Sequence, residues 1–147
     1  MDGSPHPPPR AETPWRRWRA WLVRWRYLLA LLAVLGVFLI SSLPNTRPPL
    51  FHGLDKLQHL VEYLLLGLIL LNLTTQGFQR VSLRALSLAW SVLVLVGALD
   101  EGYQYWIPGR APDRWDLFAS ASGGLLAVAL VLATRLFRPL PLARQRP

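Results

Sequence analysis

Four long apolar stretches constrain this chain more than any other feature. They run from about Tyr27 to Leu43, Leu54 to Leu73, Leu83 to Tyr103 and Leu117 to Phe137. Each holds roughly 17 to 21 residues, enough at 1.5 Å per residue to cross a hydrocarbon layer of about 30 Å. Four helical spans in one domain are expected. A secretory signal peptide is a poor reading of the first stretch, because no small-residue cleavage site precedes Pro44, Pro48 and Pro49 and the preceding region is too long. The composition agrees with a membrane chain, since 52% of the residues are hydrophobic and only 16% are charged.

The net charge of +8 would suit nucleic acid if the arginines lined one face of a soluble domain. They gather instead beside the apolar stretches, so no nucleic-acid partner is expected and the charge reads as topology. Arg10, Arg16, Arg17, Arg19, Arg24 and Arg26 precede the first stretch. Arg80 and Arg84 separate the second from the third, while Arg135, Arg138, Arg144 and Arg146 cluster at the end of the fourth. The other two connections hold Arg47 alone, or Arg110 and Arg114 beside Asp113. The positive-inside rule then puts both termini and the middle connection in the cytoplasm. There is no cysteine, which excludes disulfides and thiolate metal sites.

Residues 1–13 carry Pro5, Pro7, Pro8 and Pro9 and few apolar side chains, and are expected to form a disordered tail. Residues 14–26 repeat Trp15, Trp18, Trp21 and Trp25 at helical spacing with arginines between them. An amphipathic helix at the lipid headgroups is expected there. The expected fold is all-α: a four-helix transmembrane bundle over 27–137, an N-terminal interfacial amphipathic helix, and a basic cytoplasmic tail over 138–147.

Ionisable residues inside a span are costly, commonly about 2.5–3.5 kcal/mol each on insertion scales. Their positions here are uneven: Asp55, Glu62, Asp100, Glu101, Asp113 and Asp116, six of the eight acidic residues, lie in or beside the first and third connections. Asp55, His59, Glu62 and Tyr63 share one helical face with Lys56 beside it. Asp100 and Gln104 are four apart, Pro108-Gly109-Arg110 forms a turn bearing a cation, and Asp116 complements the positive end of the fourth helix. All of these converge on one polar cluster open to the outside. It serves either as a salt-bridge network holding helix ends together or as a functional site.

Asp55-Lys56-x-x-His59-x-x-x-Tyr63, Asp100-Glu101-x-x-Gln104, Pro108-Gly109-Arg110 and Asp116 resemble the signature of VanZ-like membrane proteins. The resemblance covers roughly Leu43 to Leu132. It departs after the final Asp, where the family commonly has an Asn and this chain has Ala119, Ser120 and Ser122. It implies a bacterial inner-membrane protein, in a family whose founding member is tied to low-level teicoplanin resistance and whose biochemical activity is unsettled.

Three functions compete. In the first, Asp55, Lys56, His59, Tyr63, Asp100, Glu101, Gln104, Arg110 and Asp116 bind a lipid-linked cell-wall precursor or a glycopeptide. Lys56 and Arg110 would hold phosphate or carboxylate, and Tyr105, Trp106 and Trp115 would stack on a sugar or lipid. In the second, an intramembrane hydrolase uses His59, Asp100 and Glu101 to activate water, since no serine or cysteine stands at an evident nucleophile position. No cofactor is expected. A divalent ion on His59, Asp55, Asp100 and Glu101 is chemically reasonable but ranks below internal ion pairing. Proton-coupled transport is disfavoured, because the cytoplasmic half, Val92 to Val96 for instance, is apolar.

Overall fold

The computed structural model describes residues 14–43 and 52–136. The tail expected over 1–13, the segment with Pro44, Asn45, Arg47, Pro48 and Pro49, and the basic tail expected over 138–147 lie outside the described residues. So do the side chains of Trp15 and His52. Four helices make up the fold: α1 (Pro14–Ser41), α2 (His52–Thr74), α3 (Leu83–Gln104) and α4 (Arg114–Leu136). Each contains a segment long and apolar enough to cross a membrane, which makes this a multi-pass membrane protein. Helices satisfy their own backbone polar groups, the condition for residence in lipid.

The basic, Trp-rich segment is helical, as its spacing predicts, but it is not a separate element. It continues without interruption into the first span, because Val23-Arg24-Trp25-Arg26-Tyr27-Leu28 contains no proline or glycine to break the turn. At 28 residues, α1 is about 42 Å long at 1.5 Å per residue, and its membrane-length part begins only at Val23. The preceding turns expose Trp18 and Trp21, whose rings meet edge-on at 6.4 Å.

α2 lies at the centre and touches all three other helices, α4 most extensively. Small residues permit that approach: a Cβ on Gly123 would stand 2.3 Å from the Leu60 carbonyl oxygen. Lipid tails are as apolar as leucine, so association rests on such close packing rather than on hydrophobic transfer. Tyr63, Leu66, Leu71, Leu93 and Ala127 form the buried centre. Leu31, Leu35, Leu65, Leu95, Leu99 and Leu125 face outward, as expected of helices solvated by lipid.

The α2–α3 connection is held by Thr75, whose hydroxyl accepts from the Phe78 N–H at 3.0 Å, and by Arg135 of α4, which donates to the Phe78 carbonyl. Gly77 has φ 72° with Val23 against its α-carbon, so both the backbone and the space require glycine. α2 closes at this end with the Gly77 N–H reaching the Asn72 carbonyl at 2.8 Å. At the other end, Ile107-Pro108-Gly109-Arg110 forms a turn closed by Arg110 N–H to Ile107 C=O at 3.0 Å. Gly109, with φ 78°, supplies the positive angle a type II turn needs after proline. Asp113 then caps α4 by accepting the Trp115 N–H at 2.9 Å.

Candidate functional site

The polar residues singled out from sequence meet at the bundle end that carries the α1–α2 and α3–α4 connections. α2 brings Asp55, Lys56, His59, Glu62 and Tyr63 along one face. The last turn of α3 brings Asp100, Glu101 and Gln104, the connection brings Arg110 and Asp113, and α4 brings Asp116. Most are deeply buried: Asp100 is 0% exposed, Gln104 1%, His59 and Asp116 2%, and Tyr63 0%.

Lys56 and Arg110 are engaged within the protein. Lys56 Nζ reaches Asp113 Oδ2 at 2.8 Å and Asp116 Oδ1 at 3.0 Å. Arg110 Nη1 lies 3.6 Å from Asp55 Oδ1, and its Nε donates to the Leu43 carbonyl at 3.3 Å. The Lys56 ammonium, with the Trp115 N–H, holds the Asp113 carboxyl below its usual range. Of Lys56, His59 and Arg110, His59 alone comes within ion-pair range of Asp100 or Glu101, its Nε2 standing 4.0 Å from Glu101 Oε1. The reason is reach: Lys56 and Arg110 point toward the α4 N-terminus and the start of α2, above the level of Asp100.

Two serines absent from the sequence expectation belong to the cluster. Ser41, at the end of α1, donates to Asp100 Oδ2 at 2.9 Å. Ser120 Oγ lies 3.3 Å from His59 Nδ1 and is buried. A serine hydroxyl thus stands beside the candidate base, where none was expected at an evident nucleophile position. Ser120 follows Asp116 by one helical turn, a spacing that could have revealed it; Ser41 is linked to Asp100 only through the tertiary fold. On the neighbouring surface Ser42 and the Tyr103 hydroxyl share a hydrogen bond of 3.0 Å, and Gln58 donates to Glu62 at 2.8 Å.

The remaining bonds fix the carboxylates. Glu101 Oε2 accepts the Asp113 backbone N–H at 2.9 Å, and Asp100 Oδ2 also accepts from Gln104 at 3.4 Å. His59 stacks on Tyr63 with ring centres 6.3 Å apart. Two sets of three donors, Asp55–His59–Asp116 and His59–Asp100–Glu101, each lie within 4.8 Å and could hold a cation. Tyr105, Trp106 and Trp115 are exposed beside the cluster. Trp90, by contrast, is a helix contact, its indole N–H donating to the Ala121 carbonyl at 3.3 Å. No protein-family model, curated protein or solved structure matches the chain.

Proposed function

We propose that this chain is a VanZ-like protein of the bacterial inner membrane whose polar cluster faces the cell exterior. There it binds the polar head of a lipid-linked cell-envelope ligand and modulates tolerance to teicoplanin-type glycopeptides. The observation that carries the reading is a buried polar cluster, built by all four helices, at one end of an otherwise apolar bundle. Arg17, Arg24, Arg26, Arg80, Arg84 and Arg135 belong to the opposite end, which the positive-inside rule assigns to the cytoplasm. Tyr105, Trp106 and Trp115 form an exposed aromatic rim suited to sugars or lipid at the interface. Lys56 and Arg110 already hold carboxylates, so a headgroup must share them rather than meet free cations.

The test is Glu101→Gln in a host where the protein confers glycopeptide tolerance. Loss of tolerance at unchanged protein level and detergent melting supports a ligand site. A parallel fall of level and tolerance identifies the cluster as structural, because breaking a buried polar network destabilises the fold.

One contact favours a second reading, an intramembrane hydrolase of lipid or peptide: Ser120 Oγ at 3.3 Å from His59 Nδ1 supplies a hydroxyl beside a base. Ser120 is only 1% exposed, so a substrate would have to open the α2–α4 contact to reach it. Loss of hydrolysis of a lipid phosphate ester in Ser120→Ala would favour this reading, and retention of tolerance in that variant would favour binding.

A further inference from the structure

Three buried side-chain oxygens in the cluster have no hydrogen-bond partner: Tyr63 Oη, Asp100 Oδ1 and Glu101 Oε1. Asp100 is fully buried and Glu101 is 7% exposed. Each is clamped through its other oxygen, Asp100 by Ser41 at 2.9 Å and Glu101 by the Asp113 N–H at 2.9 Å. The free oxygens are thus held in place with nothing to bind. Glu101 Oε1 faces His59 Nε2 across 4.0 Å, and Asp116 Oδ2 faces the same nitrogen across 3.9 Å. Those gaps exceed a hydrogen bond, which spans about 2.7–3.2 Å. They fit two ligands of one ion, since donors about 2.0–2.2 Å from a metal lie roughly 3–4 Å apart.

Charge points the same way. Asp55, Glu62, Asp100, Glu101, Asp113 and Asp116 share only Lys56 and Arg110 as permanent cations among the described residues of the cluster. Lys56 is taken by Asp113 and Asp116, and Arg110 by Asp55, which leaves Asp100 and Glu101 without a cation. The imidazole is set for coordination as well. In the tautomer whose Nδ1–H donates to Ser120 Oγ, 3.3 Å away, Nε2 turns its lone pair toward the carboxylates, the outer-shell arrangement of metal-binding histidines.

We propose that His59 Nε2, Asp100 Oδ1 and Glu101 Oε1 bind a divalent first-row transition-metal ion. One imidazole among carboxylates suits Zn²⁺ or Mn²⁺ better than the all-oxygen preference of Mg²⁺ or Ca²⁺. The inference rests on reading this cluster as a ligand site. It deepens that reading, because an ion here turns an acid-rich pocket into one that accepts an anionic phosphate.

The experiment is equilibrium dialysis of the full chain in detergent, stripped with chelator and returned to Zn²⁺ or Mn²⁺ without added lipid, followed by elemental analysis. One ion per chain is expected. Asp100→Asn and Glu101→Gln should weaken binding by more than the roughly 10- to 100-fold that losing an outer-shell partner costs, and Ser120→Ala by about that amount. Gln79→Ala, exposed in the α2–α3 connection at the opposite end of the bundle, should bind as the parent does. Should a ligand variant fail to fold, Co²⁺ loaded into the unmodified chain should show visible d–d absorption and raise its melting temperature. Absence of a stoichiometric ion, or binding unchanged in both Glu101→Gln and His59→Gln, overturns the proposal. Binding of a polyprenyl pyrophosphate by a chain that takes up no ion overturns it and leaves the headgroup reading standing. A bound ion with no affinity for that lipid supports the metal site and removes the headgroup reading alone.

Discussion

Asp113 joins two tasks in one side chain: Oδ1 caps α4 through the Trp115 N–H, and Oδ2 holds Lys56. Its carboxyl is pulled below the usual range, so the stabilisation it gives is fully present above the unfolded value of about 3.9 and is lost as pH falls through its lower folded value. Asp113→Asn keeps the cap, because asparagine serves there as well as aspartate, and removes only the charge. The melting temperatures of the two proteins in detergent should therefore differ by a constant amount from pH 7 to about 5 and converge below about pH 4. A difference that persists at low pH would mean that the cap, not the ion pair, was disturbed. At this scale the sequence was readable for the acids, His59, Lys56 and Arg110, since charge inside an apolar run is conspicuous. It was not readable for partner choice. Which carboxylate Lys56 takes depends on the register of α2 against α4, and Ser41 and Ser120 are unremarkable until a buried acid and a histidine stand beside them.

The α2–α4 contact shows how an element interface can hinge on one missing methyl group. A Cβ on Gly123 would meet the Leu60 carbonyl oxygen at 2.3 Å and the Leu64 nitrogen at 2.9 Å. Both are backbone atoms of a helix and cannot rotate away. Gly123→Ala should cost about 1–3 kcal/mol, the usual penalty of overpacking, and lower the detergent melting temperature. Gly102→Ala makes the contrast, because nothing lies within 4 Å of its Cβ position. In the exposed part of α3 it should be neutral or stabilise by about 0.5–1 kcal/mol. Equal destabilisation by both would argue against the close crossing. The spans themselves were legible to within a few residues, because length and hydropathy define them. The continuity of α1 was not, since a change from Trp/Arg to Leu/Ala/Val composition marks a change of surroundings and not a change of backbone. Replacing Trp18, Trp21 and Trp25 by serine should accordingly leave α1 helical by circular dichroism while letting its first turns slide relative to the headgroups. Loss of helical signal would mean that those turns depend on the indoles for their fold.

For the molecule as a whole, the two ends of the bundle differ in charge as sharply as they differ in burial. One end carries the acid-rich cluster; the other carries Arg17, Arg24, Arg26, Arg80, Arg84 and Arg135. Translocating arginines against the membrane potential is unfavourable, which is the physical sense of the positive-inside rule. The chain contains no cysteine, so a single introduced thiol reports its own side of the membrane without background. Gln79→Cys lies in the α2–α3 connection and Ala111→Cys in the α3–α4 connection; both positions are exposed. In intact cells a membrane-impermeant maleimide should label Ala111→Cys and spare Gln79→Cys, and permeabilisation should make the two equal. The result bears directly on the site. Because Ala111 follows Arg110, whose guanidinium pairs with Asp55, the side on which residue 111 is labelled is the side from which a headgroup or metal ion would enter. Labelling of Gln79→Cys alone in intact cells would put the polar cluster in the cytoplasmic leaflet. An envelope ligand could not then reach it, while the metal-binding geometry would stand unchanged.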